Sequence, residues 1–314
     1  MKILITGAAG FIGSHLAEKL VKRGDTVIGL DSFNDYYNPA FKRRNIKGLL
    51  QQPQFTLVEG DVRDRERVLG LFSAEKFDTV AHLAGMAGVR NSVEHPAHYV
   101  NVNINGTQNL FDGARFNAVG NFVMASTSSI YADTKIIPFL ESDTCDRPIQ
   151  PYAASKRSAE ILAYSYHHLF DFNFIATRFF TVYGPRNRPD MMAHLLADSI
   201  TLGKQIPLYE NGNMWSDWTH VSDITDGIIA ALDRPLGYEI INLGRGEPTL
   251  LSEFIEMMEE LAGGKANFVH KSKMPSDMWK THANIDKARK LLGYAPKVNL
   301  VDGVNDFWQW YQTR

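Results

Sequence analysis

Residues 2–20 read KILITGAAGFIGSHLAEKL: an aliphatic run, then Gly7, Gly10 and Gly13 at intervals of three, then apolar residues at helical period. No other stretch restricts the fold as tightly, because a strand must pass through a sharp turn straight into the first turn of a helix. The first glycine suits the turn, the second lets a ligand approach the backbone, and the third lets the helix pack on the strand. Unpaired N–H groups at that helix N-terminus favour a phosphate. The next apolar run, TVIGLD, ends in Asp31. A carboxylate there can bond the ribose hydroxyls of an adenosine and repels a 2′-phosphate, so the expected cofactor is NAD rather than NADP.

The alternation continues through FTLVEGD, DTVAHLAG, NFVMAST and FNFIATRFF, each separated from the next by a helical-period segment. Such repetition predicts an α/β fold, a Rossmann-type doubly wound parallel sheet with helices on both faces. Beyond about residue 180, loops rich in Gly, Pro, Asn and Trp surround a few helical segments, which predicts a smaller mixed α/β substrate-binding domain. The expected division is 1–178 for the dinucleotide domain, with 219–245 crossing back to it, and 179–218 plus 246–314 for the second. A length of 314 residues suits about two domains.

A net charge of -2 without a basic tract argues against nucleic acid as a partner, although local arginines suffice for a small anion. The N-terminal apolar run is too short for a signal peptide, and no uninterrupted apolar stretch is long enough for a membrane span. Cys145 is the only cysteine, so no intramolecular disulfide forms, and a reducing, cytoplasmic setting is expected. Nothing around SDTCDRP activates that thiol as a nucleophile. His82 reads as a packed strand histidine in preference to a ligand or base, and His95 and His98 as a loop and helix start, since no metal-ligand spacing accompanies them.

Two segments carry chemistry. Tyr152 and Lys156 lie four apart in PYAASKRSAEILAYSY and share one helix face. The strand-like NFVMAST ends in a hydroxyl cluster, Ser126, Thr127, Ser128 and Ser129. Further positions at strand ends, Asp61 with Val62 and His82 to Gly85, fall where open α/β sheets bind ligands.

In this order, the glycine run, Asp31, DV, HLAG, the hydroxyl cluster and Tyr-x-x-x-Lys resemble the extended short-chain dehydrogenase/reductases, and among them the nucleotide-sugar epimerases, over essentially the full length. The resemblance implies bound NAD held by Gly7, Gly10, Phe11, Ile12, Gly13, Asp31, Asn34, Asp61, Val62, Leu83, Ala84, Gly85, Asn103, Tyr152 and Lys156. It implies Tyr152 as the base, Lys156 on the ribose and Thr127 on the sugar oxygen, with a homodimer built from helices including YVNVNINGTQNLFDGARF and the one carrying Tyr152. A phenol is a weak base at neutral pH unless nearby cations favour phenolate, which is the part assigned to Lys156 and the positive nicotinamide.

Related dehydratases carry an Asp-Glu pair after the threonine; here Ser128 and Ser129 stand there, so dehydration is disfavoured. RFFTVYGPRNRPDMM, FNDYYNP and THANIDKA resemble the UDP-glucuronate 4-epimerases, which implies that Thr181 and Arg188 meet the C6 carboxylate of a uronic acid. The substrate-binding set is then Thr127, Ser128, Ser129, Tyr152, Thr181 and Arg188, with Tyr209 beside uracil and Asp277 near its ribose. Decarboxylation of UDP-glucuronate, epimerisation of UDP-glucose and a non-catalytic NAD sensor stay open as alternatives. Arg186 has no assigned partner: pyrophosphate or solvent are both open. Ser216 stands where the family commonly has a phosphate-binding arginine, with Lys280 and Arg245 as conceivable replacements. Ala132 in place of a usual glycine, and Gly85 in place of a usual alanine, are expected to be tolerated.

Overall fold

The computed structural model describes residues 1–132 and 134–314. Seven parallel strands form one sheet: β1 (Lys2–Thr6), β2 (Thr26–Asp31), β3 (Phe55–Glu59), β4 (Thr79–His82), β5 (Asn121–Thr127), β6 (Phe174–Phe179) and the strand Tyr238–Leu243. In space β1 is flanked by β2 and β4; β3 follows β2 at one edge, while β5, β6 and Tyr238–Leu243 follow β4 to the other. The winding therefore reverses between β1 and β4, and the crevice at their C-terminal ends is the natural ligand site of such a sheet.

Strand side chains alternate between faces, and both faces here are covered. In β1, Ile3 and Ile5 enter one core and Leu4 the other. Phe111, Phe122, Phe172 and Phe174 fill the second, with the Phe111 and Phe122 rings 5.0 Å apart edge to face. The first core is closed by helix α1 (Phe11–Arg23) beside the helix Val221–Leu232, which come from opposite halves of the chain. Lys19 ties them, its Nζ donating to Ser222 O at 2.8 Å and to Asp226 at 2.6 Å.

A third core lies around Leu196, Phe254, Met258 and Phe307, among the helices Met192–Leu202, Leu251–Ala262 and Leu300–Thr313. Trp218 stacks on Phe254 there at 4.0 Å. Three two-stranded pairs border it: Thr181–Tyr183 with Trp218–His220, Gln205–Tyr209 with Asn267–Lys271, and the antiparallel Trp215–Ser216 with Thr249–Leu250. This is the mixed α/β second part that the sequence predicts.

The segment YVNVNINGTQNL departs from a regular helix. Between the helices Pro96–Val100 and Thr107–Phe116 runs a wider π-helical turn, Asn101–Gly106. Among the described residues no helix is long and apolar enough to cross a membrane, and no group of His, Cys, Asp or Glu is arranged to hold a metal.

Candidate active site

The glycine run folds as its spacing requires. Gly7 sits at φ 70°, and a Cβ there would lie 2.8 Å from the Ala84 nitrogen. A Cβ on Gly13 would lie 2.1 Å from the Gly7 oxygen, so helix and turn touch backbone to backbone. Gly10 caps α1, with Phe11 and Ile12 in its first turn, and all three line a cavity of about 380 Å³ at the switch point. Asp31 closes this end, accepting from Ala9 N at 3.1 Å and Phe33 N at 2.9 Å. The buried Lys42 ammonium lies 3.7 Å from Asp31 and donates to Asn34 Oδ1 at 2.9 Å, a neighbour that the sequence did not single out. Asp61, Val62, Leu83, Ala84 and Gly85 line the same cavity. Arg63 donates to both oxygens of Asp61, and those bonds hold its carboxyl below the usual range. A turn kept free of Cβ atoms, helix N–H groups beside it and a carboxylate at the ribose position fit an NAD molecule.

Asn103 is held by the protein itself. It does not line the cavity: its Oδ1 accepts from Met86 N at 2.8 Å, and its Nδ2 donates to Met86 O at 3.0 Å and Ser155 Oγ at 2.9 Å. Its part is to fasten the loop after β4 onto the helix Pro151–Phe170. His82 is a packed histidine, fully buried between the hydroxyls of Thr6 at 2.7 Å and Thr107 at 2.9 Å; burial holds its pKa well below the ordinary value. His98 does reach the cavity wall.

Thr127 ends β5, and Ser128 and Ser129 begin a short 3-10 turn after it; Ser129 N donates to Thr127 Oγ1 at 3.1 Å. These three, Tyr152 and Lys156 all face the cavity. Burial raises the Tyr152 pKa, while the neighbouring Thr127 hydroxyl and the charge of Arg188 oppose the rise. Arg188 is thus a cation that opposes the rise of the phenol pKa in the cofactor-free chain, a neighbour that the sequence analysis did not assign to it. Lys156 is buried against Gly85: a Cβ on that glycine would lie 3.0 Å from Nζ. Burial lowers the Lys156 pKa to about 8, and Glu160, one turn further along, opposes this.

Glu160 was not visible as part of the site. Fully buried, it accepts from Ser126 Oγ at 2.6 Å, from Arg178 at 2.7 and 3.0 Å, and from Arg157 at 3.1 Å. Its spacing from Lys156 places it on the same helix face, but its partner Arg178 is in β6 and carries no sequence signal. Cys145 lies 3.5 Å from Arg178 Nη1, and burial pushes its thiol up to about 11, so no thiolate forms at neutral pH.

Thr181 and Arg188 line the far end of the cavity. The Arg188 guanidinium donates from Nε and Nη2 to the two oxygens of Asp190, each at 2.9 Å. Arg186 turns the other way and pairs with Glu18 of α1 at 2.6 Å, while the His15 ring donates to Pro185 O at 2.9 Å. Arg186 clamps the loop bearing Arg188 to the helix that starts at the glycine cradle. Tyr209 and Asp277 do not line the cavity. Arg90 joins them, its guanidinium 3.8 Å above the Tyr209 ring and 3.1 Å from Asp277. Near Ser216, Lys280 lies 5.2 Å over the Trp215 ring and Arg245 donates to Glu247 O and Thr249 Oγ1; neither lines the cavity.

Residues 3–244 match the model of the NAD dependent epimerase/dehydratase family. A UDP-glucuronate 4-epimerase of Thermodesulfobacterium geofontis is 40% identical over 308 residues, covering 98% of this chain and 95% of its own. UDP-glucuronate 4-epimerase 4 of Arabidopsis thaliana is 40% identical over 98% of this chain and 75% of its own. Among solved structures, the UDP-glucuronic acid 4-epimerase of Bacillus cereus in complex with UDP-glucuronic acid and NAD superposes with a TM-score of 0.93 at 34% identity, over 100% of this chain and 99% of that one.

Proposed function

Because the chain belongs to the NAD dependent epimerase/dehydratase family, we propose that it interconverts UDP-glucuronate and UDP-galacturonate at C4 of the sugar, as an NAD-dependent isomerase. The observation that carries this reading is a single cavity running from the glycine cradle past Tyr152 to a guanidinium, Arg188.

In this reading Gly7, Gly10, Gly13, Asp31 and Lys156 hold the dinucleotide, which supplies a hydride acceptor and donor at C4. Tyr152 removes the C4 hydroxyl proton, and Thr127, in the same cavity wall, orients that hydroxyl and relays the proton. Thr181 and Arg188 hold the C6 carboxylate, and Ser128 and Ser129 contact the substrate. Orientation matters because the 4-keto uronate is a β-keto acid, which loses carbon dioxide when the C5–C6 bond aligns with the carbonyl π system. A planar guanidinium sets the carboxylate's plane as well as neutralising it. Tyr209 and Asp277 receive uridine once Arg90 moves off the Tyr209 ring. The dinucleotide is held by 1–178 with 219–245, and the sugar nucleotide by 179–218 with 246–314. The molecule is a cytoplasmic homodimer, joined through the outward stripe of the helix Pro151–Phe170, where Ile161 and Tyr164 are 54% and 55% exposed.

Incubation with UDP-glucuronate, followed by NMR, tests the assignment. UDP-galacturonate is the expected product. A UDP-pentose with carbon dioxide makes the chain a decarboxylase, and much faster turnover of UDP-glucose removes the carboxylate role of Arg188.

A further inference from the structure

Arg188 is not a bare cation awaiting a substrate. Met191 N donates to Arg188 O at 3.1 Å, closing a four-residue turn with Pro189 in its second position, and the turn brings Asp190 onto the guanidinium. The bond is a side-on fork through Nε and Nη2, and Asp190 Oδ2 also accepts from Tyr36 at 3.3 Å. Among the described residues Nη1 makes no hydrogen bond, so the opposite edge, Nη1 with the outer N–H of Nη2, is the one open to a second carboxylate. Arg188 is mostly buried, its side chain 22% exposed.

We infer that Asp190 is an internal carboxylate that shares Arg188 with the substrate carboxylate and holds the guanidinium whenever the sugar releases it. The inference rests on the reading that Arg188 receives a uronate. Epimerisation requires the 4-keto ring to turn over inside the cavity, and a carboxylate on C5 cannot keep one fixed fork through that rotation. Stripping a largely buried guanidinium of Asp190, its one ion-pair partner among the described residues, is costly, so an exclusive pair with the substrate would pin the ring in one orientation. With Asp190 permanently on one edge, the cation is never left bare. Two carboxylates around one guanidinium also repel each other across a few ångströms, so the substrate is held less tightly than by a free arginine. Asp190 thus acts through Arg188 as a positioning residue: it gives up uronate affinity in exchange for rotation.

The test compares the chain with its Asp190→Asn variant, both loaded with NAD and both carrying Tyr152→Phe to stop turnover, by calorimetric titration of UDP-glucuronate and UDP-glucose. The variant is expected to bind UDP-glucuronate roughly fivefold more tightly, with UDP-glucose unchanged. With Tyr152 intact, Asp190→Asn is expected to lower kcat and KM for UDP-glucuronate together. Asp190→Ser, which also removes the charge, is expected to do the same. Weaker or unchanged UDP-glucuronate binding, or an equal change for both sugars, overturns the inference; weaker binding makes Asp190 a simple brace for Arg188. If the wild type makes no UDP-galacturonate while Asp190→Asn still tightens UDP-glucuronate selectively, the functional reading is overturned and the sharing of Arg188 stands.

Discussion

Ala132 and Gly85 were both expected to be neutral replacements, and the structure separates them. Ala132 adopts φ 35° and ψ −91°, a backbone region that a Cβ disfavours, whereas a Cβ at Gly85 would meet only side-chain atoms, the end of Lys156 and the Asn103 amide. Ala132→Gly is expected to raise stability by about 1 kcal/mol, read from urea midpoints. At Gly13 the backbone contact leaves no such freedom, and Gly13→Ala is expected to abolish NAD retention on purification, with a lowered Tm. The Lys156 ammonium gives a pH signature. Its folded pKa of about 8 lies below the unfolded value, so between the two the unfolded chain binds more protons and stability rises with pH. The penalty for burying the charge, roughly 3 kcal/mol, is complete below pH 8 and vanishes above the unfolded pKa. The stability of Lys156→Met relative to wild type is therefore expected to be greatest at pH 7 and to shrink by pH 9.5, in cofactor-free protein unfolded by urea. A constant difference across that range removes the assignment.

At the scale of elements, the helix Pro151–Phe170 is the organising piece. Tyr152, Lys156 and Glu160 recur every four residues, so all three face the sheet. The first two were legible from that spacing together with the hydroxyl cluster upstream. Glu160 was not, because its importance comes from Ser126 and Arg178, which two other strands deliver to it. The pair fixes the end of β5, and with it Thr127, against the helix that holds the phenol. Neither member is exposed at all. Glu160→Gln leaves Arg178 charged and uncompensated in the interior, which is expected to cost about 3–5 kcal/mol in urea unfolding. A cost under about 1 kcal/mol would mean that water reaches the guanidinium. The π-helical turn at Asn101–Gly106 was likewise invisible, since its periodicity reads as ordinary helix; within it Asn103 bonds the loop after β4.

For the whole molecule, the proposed dimer is the testable assembly. Ile161→Arg combined with Tyr164→Arg is expected to yield a 35.3 kDa monomer by light scattering, against twice that mass for the wild type, with NAD still bound. A wild-type chain already monomeric removes the interface. What the amino-acid order determined by itself is local: hydrophobic alternation sets strands and helices, three glycines admit a backbone contact that any side chain blocks, and a four-residue interval puts Tyr152 and Lys156 on one face. These follow from covalent geometry and burial over a few neighbours. Which charge meets which was decided only by the tertiary structure. Arg188 pairs with a residue two positions away, Arg186 with one 168 away and Arg178 with a helix 18 residues back, although all three are the same residue type in similarly polar or apolar surroundings. Ion pairs depend on distances of a few ångströms between atoms that the fold alone brings together, and the linear chain carries no measure of those distances.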